Sequence, residues 1–463
     1  MLPFRRLPPC AFALLLVGAC YGPELAGTGG PGPAVVRLSD DSASVNLSEE
    51  LQLSAVRTDS SGADLPATLY WSSGDRTIAT VTADGRVRGK APGSTWIFVS
   101  DSRNADSLRL DVTVEFQSVS AGMDVSCGTA GNGEVLCWGW NGVGAIGIGV
   151  GSDTGQPVLV TAERSSNLVV GAGSVCSLRA SQLWCWGYNG VGQLADGTTA
   201  NRTQPVAVAD TLSLRQVVLG AGATVCALDG LDHLLCWGWN GYGQLLSGGP
   251  SLNSRRPILM HTPAPTVAVA TGGGHVCTLD DQGAAWCWGR NDYGQLGDGD
   301  LLPSYAPVRV AGVPPLTNIV AGLTHTCGRT AAGQAWCWGS NEYGQLGVPG
   351  TDHSTVPVLA AQGQAFEQLS TSWNHTCGVS SGTALCWGAN IEGQLGSGDQ
   401  ASGPGARVVQ GGLTFRTVSA GVNHTCGLTT GGKAFCWGGN THGSLGDGRR
   451  VDQAAPVEVL FQR

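Results

Sequence analysis

At 463 residues the chain is long enough for two or three domains, and its 42% apolar content can fill sizeable cores, which excludes wholesale disorder. Its 72 glycines are about twice the usual share of roughly 7%, and its 13% of charged residues is about half the usual ~25%, a balance that suits turn-rich β structure and not long surface helices. A net charge of −9, with no run of Lys or Arg longer than a pair, leaves no general basic field for phosphate and weighs against a nucleic-acid partner.

Residues 1–19 read as an export signal: Arg5 and Arg6 precede the apolar run Ala11 to Val17, which is too short to span a bilayer as a helix. The run ends Val17-Gly18-Ala19-Cys20, which resembles the bacterial lipobox. That resemblance implies cleavage before Cys20 and lipidation of its thiol, so that several acyl chains hold the protein to a membrane. Tyr21 stands where an acidic residue would resemble an inner-membrane retention signal, which points to the outer membrane. Sixteen cysteines in an exported chain imply an oxidising compartment, because cytosolic thiols are kept reduced. Residues 20–33 are then the lipidated cysteine and a Gly/Pro-rich tether without apolar periodicity.

From 34 to 115 short alternating runs such as Leu51-Gln52-Leu53-Ser54-Ala55-Val56 and Trp96-Ile97-Phe98-Val99 are broken by Asp, Gly, Ser and Pro, which predicts a small β-sandwich. The stretch Trp71-Ser72-Ser73-Gly74-Asp75, with Ile78-Ala79-Thr80-Val81 and Gly85-Arg86-Val87-Arg88-Gly89, resembles the bacterial Ig-like group 2 domain. The resemblance implies a stalk or adhesion module.

The remainder, 118–463, is governed by a repeat. A Cys-Trp-Gly triplet recurs with its Trp at 138, 186, 237, 288, 338, 387 and 437, at intervals of 48 to 51 residues. Each copy holds an upstream Cys, a hairpin, the triplet, an Asn-containing glycine loop and an outer strand such as Ala306-Pro307-Val308-Arg309-Val310; four short strands per unit make one propeller blade. The copy Ile319 to Cys327, followed by Trp336-Cys337-Trp338-Gly339-Ser340-Asn341-Glu342-Tyr343-Gly344-Gln345-Leu346-Gly347, resembles the regulator of chromosome condensation repeat. That resemblance implies an all-β, seven-bladed β-propeller behind the sandwich. Copies one and three depart in the glycine loop, with Ala145-Ile146-Gly147 and Gln244-Leu245-Leu246. Whether the terminal strands share one blade is open at this stage.

Apart from Cys10 and Cys20, the fourteen cysteines fall two per repeat, nine or ten residues apart: Cys127 with Cys137, Cys176 with Cys185, Cys226 with Cys236, Cys277 with Cys287, Cys327 with Cys337, Cys377 with Cys386, and Cys426 with Cys436. A turn such as Asp280-Asp281-Gln282-Gly283 midway folds each segment into a hairpin that can set the two sulfurs opposite one another, so disulfides are expected. The rival is zinc, since His275, His325, His375 and His424 each precede a cysteine by two. The first three copies offer Val125, Ser174 and Thr224 there, and no fourth ligand is evident. No metal is expected. The histidines resemble a structural position of the repeat family, which implies an inter-strand hydrogen bond, and the triplet tryptophans read as packing between blades.

No catalytic residues and no cofactor are expected. Gly142-Val143-Gly144-Ala145-Ile146-Gly147 fits a dinucleotide fingerprint only superficially, since no βαβ unit follows, and no Walker loop or nucleophile elbow occurs. Asp196, Asp298 and Asp447 recur in a Leu-Gly-Asp-Gly-like turn, where Asp is a common turn former. The residue between Gly and Asn varies: Trp140, Tyr188, Trp239, Arg290, Ser340, Ala389 and Gly439. By repeat symmetry these form a ring, and the sector Trp140, Tyr188, Trp239 and Arg290 has the composition of an interface hot spot. Partial burial between loops is the competing reading of these four. Tyr242, Tyr293 and Tyr343 match the repeat pattern and read as structural.

The expected function is therefore non-enzymatic: a lipid-anchored envelope protein displaying a propeller that binds a protein or glycan. Inhibition of an extracellular enzyme, which resembles the role of other secreted propellers of this family, is the alternative. Guanine-nucleotide exchange, the activity of the eukaryotic nuclear members, is a remote one, because export removes the chain from any GTPase.

Overall fold

The computed structural model describes residues 34–161, 163–208, 212–246, 248–250 and 252–461, so Cys10, Cys20 and the export signal lie outside the described residues. Those residues fold as an Ig-like sandwich followed by seven four-stranded antiparallel sheets, with no helix among them.

In the sandwich, strand Gly93–Ser100 alternates buried and exposed side chains and pairs with Ala105–Thr113, so that Ile97, Val99, Leu108 and Leu110 close the core while Trp96 and Phe98 face outward. This period-two pattern is what a half-buried strand requires. Strand Ser42–Asn46 runs parallel to Ala105–Thr113 along that sheet.

Each blade is built from four consecutive strands in sequential order. Blade 1 comprises Phe116–Ala121, Val125–Ala130, Val135–Gly139 and Thr154–Thr161, two residues ahead of the boundary expected at 118. Blades 2 to 7 open with strands Ser166–Val170, Leu214–Leu219, Thr266–Thr271, Leu316–Ala321, Gln368–Thr371 and Phe415–Ala420, and the last closes with Gln453–Glu458. The terminal strands thus belong to different blades, and the ring closes by side-to-side packing of blade 7 on blade 1 without strand exchange.

The seven expected cysteine pairs are all joined in the structure. The partners stand directly opposite on the second and third strands with Cα atoms 4.0 to 4.2 Å apart, the close approach typical of non-hydrogen-bonded antiparallel pairs. The two separations of nine have a local cause. In blade 2, Arg179 pairs with Gln182 around Ala180 and Ser181, both at positive φ; in blade 6, Ser380 pairs with Thr383 around Ser381 and Gly382, both at positive φ. These are tight two-residue hairpin turns, one residue shorter than the turns of the other blades.

The core lies in the seams between blades. Seven apolar clusters each combine the disulfide of one blade with the triplet tryptophan of the next, from Cys127–Cys137 on Trp186 round to Cys426–Cys436 on Trp138. All seven tryptophans are fully buried. The closing cluster extends through Phe116 into the sandwich core, reaching Leu47, Leu108 and Leu110.

Candidate functional site

Two ends of each blade are distinguishable. At one end lie the loops after the third strand, which begin at Trp140 in blade 1; at the other lie the hairpin turns between the second and third strands. The Ig-like module docks at the hairpin end of blade 1, where Asn132 donates to the Leu47 carbonyl at 3.3 Å and Ser48 donates to the nearly buried Glu134. Its Ala91 and Pro92 also border the outer strand of blade 1 as far as Asp153 and Gly448, while loop residues farther round the ring, such as Tyr188 and Tyr293, stay exposed, so away from that flank the loop end is the free face.

Each loop is organised by the buried asparagine after the variable residue. In blade 4 the Asn291 carbonyl oxygen accepts from Leu296 N–H at 2.9 Å and its amide donates to the Asp298 carboxylate and the Leu302 carbonyl. Asn189 and Asn440 bind Asp196 and Asp447 in the same way, which gives those aspartates a structural task. In all seven blades the leucine or isoleucine five residues after the asparagine is held by that oxygen.

The loop also makes the seam. A loop carbonyl accepts the indole N–H of the next blade's tryptophan in every seam, at 2.8 to 3.0 Å. In four seams the same carbonyl accepts a second bond, from Thr326, Thr376, Thr425 or Ser126. Those hydroxyls in turn meet Nε2 of His275, His325, His375 and His424, at 2.7 to 3.0 Å. Because each hydroxyl proton is given to the carbonyl, the ring must donate from Nε2, which a neutral or a protonated ring can do. Burial does hold them neutral: it pushes His275, His325 and His375 down to about 3 and His424 to about 4. The predicted hydrogen bond of these histidines thus runs between blades, to a hydroxyl of the next repeat. Among the described residues no group of three or more His, Cys, Asp or Glu is placed to hold a metal ion.

Of the seven variable residues, Ser340 and Ala389 are buried, whereas Trp140, Tyr188, Trp239 and Arg290 remain partly exposed on the free face. Trp140 meets the His442 ring edge-on at 6.4 Å, and His442 Nδ1 bonds the Asp153 carboxylate at 2.8 Å. Asp124 lies beside this pair; burial pushes its carboxyl up, with Asp153 adding to the effect and His442 opposing it. Trp239 meets Tyr242 edge-on at 5.5 Å. The Arg290 guanidinium, held by Asp292 at 2.7 Å, lies 5.2 Å from the Tyr242 ring and 5.6 Å from the Tyr293 ring. Tyr242 and Tyr293, read from sequence as structural, are therefore part of the same surface as Arg290. His442, Asp153 and Asp124 were not singled out in the sequence. They come together only across the join of blades 7 and 1, and the one available signal was that His442 stands where three other copies have Tyr242, Tyr293 and Tyr343.

Fold and site together define a disulfide-stapled propeller with one free, partly aromatic face, carried behind an Ig-like sandwich. Comparison with known families names both units. The regulator of chromosome condensation (RCC1) repeat matches residues 181–227, 282–328, 332–379 and 381–428, and a second form of it matches 267–295, 316–345 and 415–444. The bacterial Ig-like domain of group 2 matches residues 34–112. The chain carries RCC1 repeats preceded by a bacterial Ig-like domain.

Among curated proteins it is 32% identical over 240 residues to the ultraviolet-B receptor UVR8 of Arabidopsis thaliana, covering 50% of this chain and 54% of the receptor. It is 40% identical over 81 residues to the probable E3 ubiquitin-protein ligase HERC4 of Homo sapiens, covering 17% of this chain and 8% of the ligase. The chain thus spans about half of the plant receptor and a small part of the ligase. Among solved structures it resembles human WBSCR16, with TM-score 0.64, 22% identity, and coverage of 71% of this chain and 94% of that one. Prp20p of Saccharomyces cerevisiae gives TM-score 0.64 and 20% identity, over 75% of this chain and 88% of that one. At these identities the likeness is one of fold.

Proposed function

We propose that this is a non-enzymatic binding protein of the cell envelope, exported and lipidated at Cys20, whose propeller offers its free loop face to a partner. The observation that carries the reading is the sector Trp140, Tyr188, Trp239 and Arg290, left partly exposed with Tyr242 beside it, whereas the equivalent Ser340 and Ala389 are buried and Gly439 has no side chain to offer. Aromatic and Arg anchors of this kind supply most of the energy of binding surfaces. The yeast propeller is described as binding Gsp1p and histones, in keeping with a fold used to hold other macromolecules. The Ig-like module makes its hydrogen bonds to the propeller at the hairpin end of blade 1, which suits a spacer between an anchor and a display surface.

The test is affinity capture from native envelope and culture fluid with the mature chain, beside a variant carrying Ala at Trp140, Tyr188 and Trp239. A partner retained by the native protein and lost by the folded variant supports the surface, and its identity separates display from inhibition of an extracellular enzyme. Equal capture by both proteins removes the assignment. Anchoring is tested separately: labelled palmitate should enter the native chain and not Cys20→Ser.

A further inference from the structure

The three aromatic positions share a feature that the other four lack. Trp140-Asn141-Gly142, Tyr188-Asn189-Gly190 and Trp239-Asn240-Gly241 each place a glycine two residues after the aromatic, whereas the remaining loops read Arg290-Asn291-Asp292, Ser340-Asn341-Glu342, Ala389-Asn390-Ile391 and Gly439-Asn440-Thr441. None of these three glycines has a positive φ, so the backbone does not require them. The rings do. A Cβ on Gly142 would stand 2.7 Å from three atoms of the Trp140 indole, one on Gly241 2.8 to 2.9 Å from three atoms of Trp239, and one on Gly190 2.5 Å from Tyr188 Cζ. Each aromatic thus lies back across its glycine, held in one orientation by its own loop, with Tyr188 38% exposed and the two indoles partly so.

We propose that these three rings are stacking platforms for a neutral glycan laid along blades 1 to 3. The proposal deepens the reading of the loop face as a binding surface and rests on it. A ring fixed against its own backbone loses little entropy when a second flat group covers its outer side. The C–H face of a sugar ring is such a group, attracted by dispersion and weak C–H contacts to the π face. Three like platforms on three successive repeats suit a ligand made of like units in succession. Beside the first platform stand Asp124, Asp153, His442 and Arg450, of which Asp153 is bonded to His442 and lies 3.9 Å from Arg450. Carboxylates, an imidazole and a guanidinium are the groups that hold sugar hydroxyls by directed hydrogen bonds. The charges around the platforms are of both signs, Asp292 with Arg290, Asp153 with His442 and Arg450, and Arg255 and Arg256 near Gly190, so the face presents no one-signed field for a polyion and suits a neutral ligand rather than an acidic glycan or a nucleic acid.

The experiment is calorimetric titration of the mature chain with cellohexaose, maltohexaose, laminarihexaose and chitohexaose, with an oligogalacturonate as the charged control. At least one neutral hexaose should bind and the oligogalacturonate should not. Trp140→Ala, Tyr188→Ala and Trp239→Ala should each weaken binding by about tenfold, the factor that ~1.4 kcal/mol per stacked ring implies. Gly241→Val keeps every aromatic but displaces Trp239, and should weaken binding to a similar degree. Trp96→Ala, on the exposed sheet of the Ig-like module, should leave affinity unchanged. Binding of no neutral hexaose, binding indifferent to the platforms, or preference for the oligogalacturonate overturns the proposal. If no hexaose binds while the triple Ala variant loses a captured protein partner, the glycan assignment fails and the binding face stands. If the triple variant loses nothing in either assay, both fail.

Discussion

Four seams of the ring are joined through a histidine and a hydroxyl, and three are not, although all seven carry the same tryptophan-to-carbonyl bond. Blades 4 to 7 place His275, His325, His375 and His424 against Thr326, Thr376, Thr425 and Ser126 of the following blade. In the seams after blades 1, 2 and 3 the histidine position holds Val125, Ser174 and Thr224, and the hydroxyl position of the next blade holds Val175, Val225 and Val276. A histidine is present wherever the next blade offers a hydroxyl and absent wherever it offers a valine. The rule is physical: a buried imidazole N–H without an acceptor costs more than it returns, whereas opposite a valine a valine such as Val125, or a hydroxyl such as Thr224 that bonds within its own blade, leaves no ring N–H unsatisfied. The seams without histidine are also those that adjoin Trp140, Tyr188 and Trp239. The ring therefore has a sector whose seams are bonded through histidine and a histidine-free sector that carries the aromatic loop residues Trp140, Tyr188 and Trp239.

The largest expected difference between the sectors is in acid. The histidines titrate in the fold near 3 to 4, below their ordinary 6.5, so the unfolded chain takes up protons first as pH falls. Stability held above pH ~6.5 should be lost on descent toward pH ~4, by about 1.4 kcal/mol per pH unit for each histidine. Denaturant unfolding of His325→Val/Thr376→Val against pH should show a shallower slope than the native chain; an unchanged slope would mean that the histidine sector does not govern acid stability.

Removing a disulfide tests what the sectors share. Replacing Cys127 and Cys137 together by Ala, or Cys327 and Cys337 together, should cost about 2 to 3 kcal/mol in either sector, since both bridges close loops of equal length. A large inequality in denaturation midpoints would show that seam chemistry and stapling are coupled.

Thr376→Val alone should cost about 1 to 3 kcal/mol, because it orphans His325 Nε2–H in a dry seam. Adding His325→Val should restore part of that loss, and a double-mutant cycle measures the coupling. Simple additivity would deny that the pair acts as a unit. The smallest effect is expected from grafting the histidine–hydroxyl pair into the histidine-free sector: Ser174→His with Val225→Thr should change stability by less than ~1 kcal/mol, while either change alone destabilises. If Ser174→His alone is tolerated, acceptor supply is not what restricts the histidines to four seams.

Much of this was legible along the chain, for identifiable reasons. The recurring Cys-Trp-Gly triplet announces seven equivalent units because a blade cannot bury its own faces, so every copy must present the same tryptophan to a neighbour. The cysteine spacing of nine or ten announces paired strands because a short hairpin leaves little choice of register. Less legible was the loop asparagine, whose bond to the leucine five residues on spans a glycine turn and has no periodicity of its own. Blade 2 also holds Ala195 and blade 3 Leu246 at positive φ, where other loops have glycine; Leu246 stood out in the sequence and Ala195 did not.

The sequence by itself determined the class of the fold, its unit count, the disulfide partners and the candidate aromatic sector, because each depends on residues close in the chain or on exact repetition. Only the tertiary structure decided how the ring closes, which histidine meets which hydroxyl, and that Asp124, Asp153 and His442 gather beside Trp140. Those contacts join residues roughly 50 to 300 positions apart. Their partners are chosen by how seven blades pack around one axis, and nothing in local order records that choice.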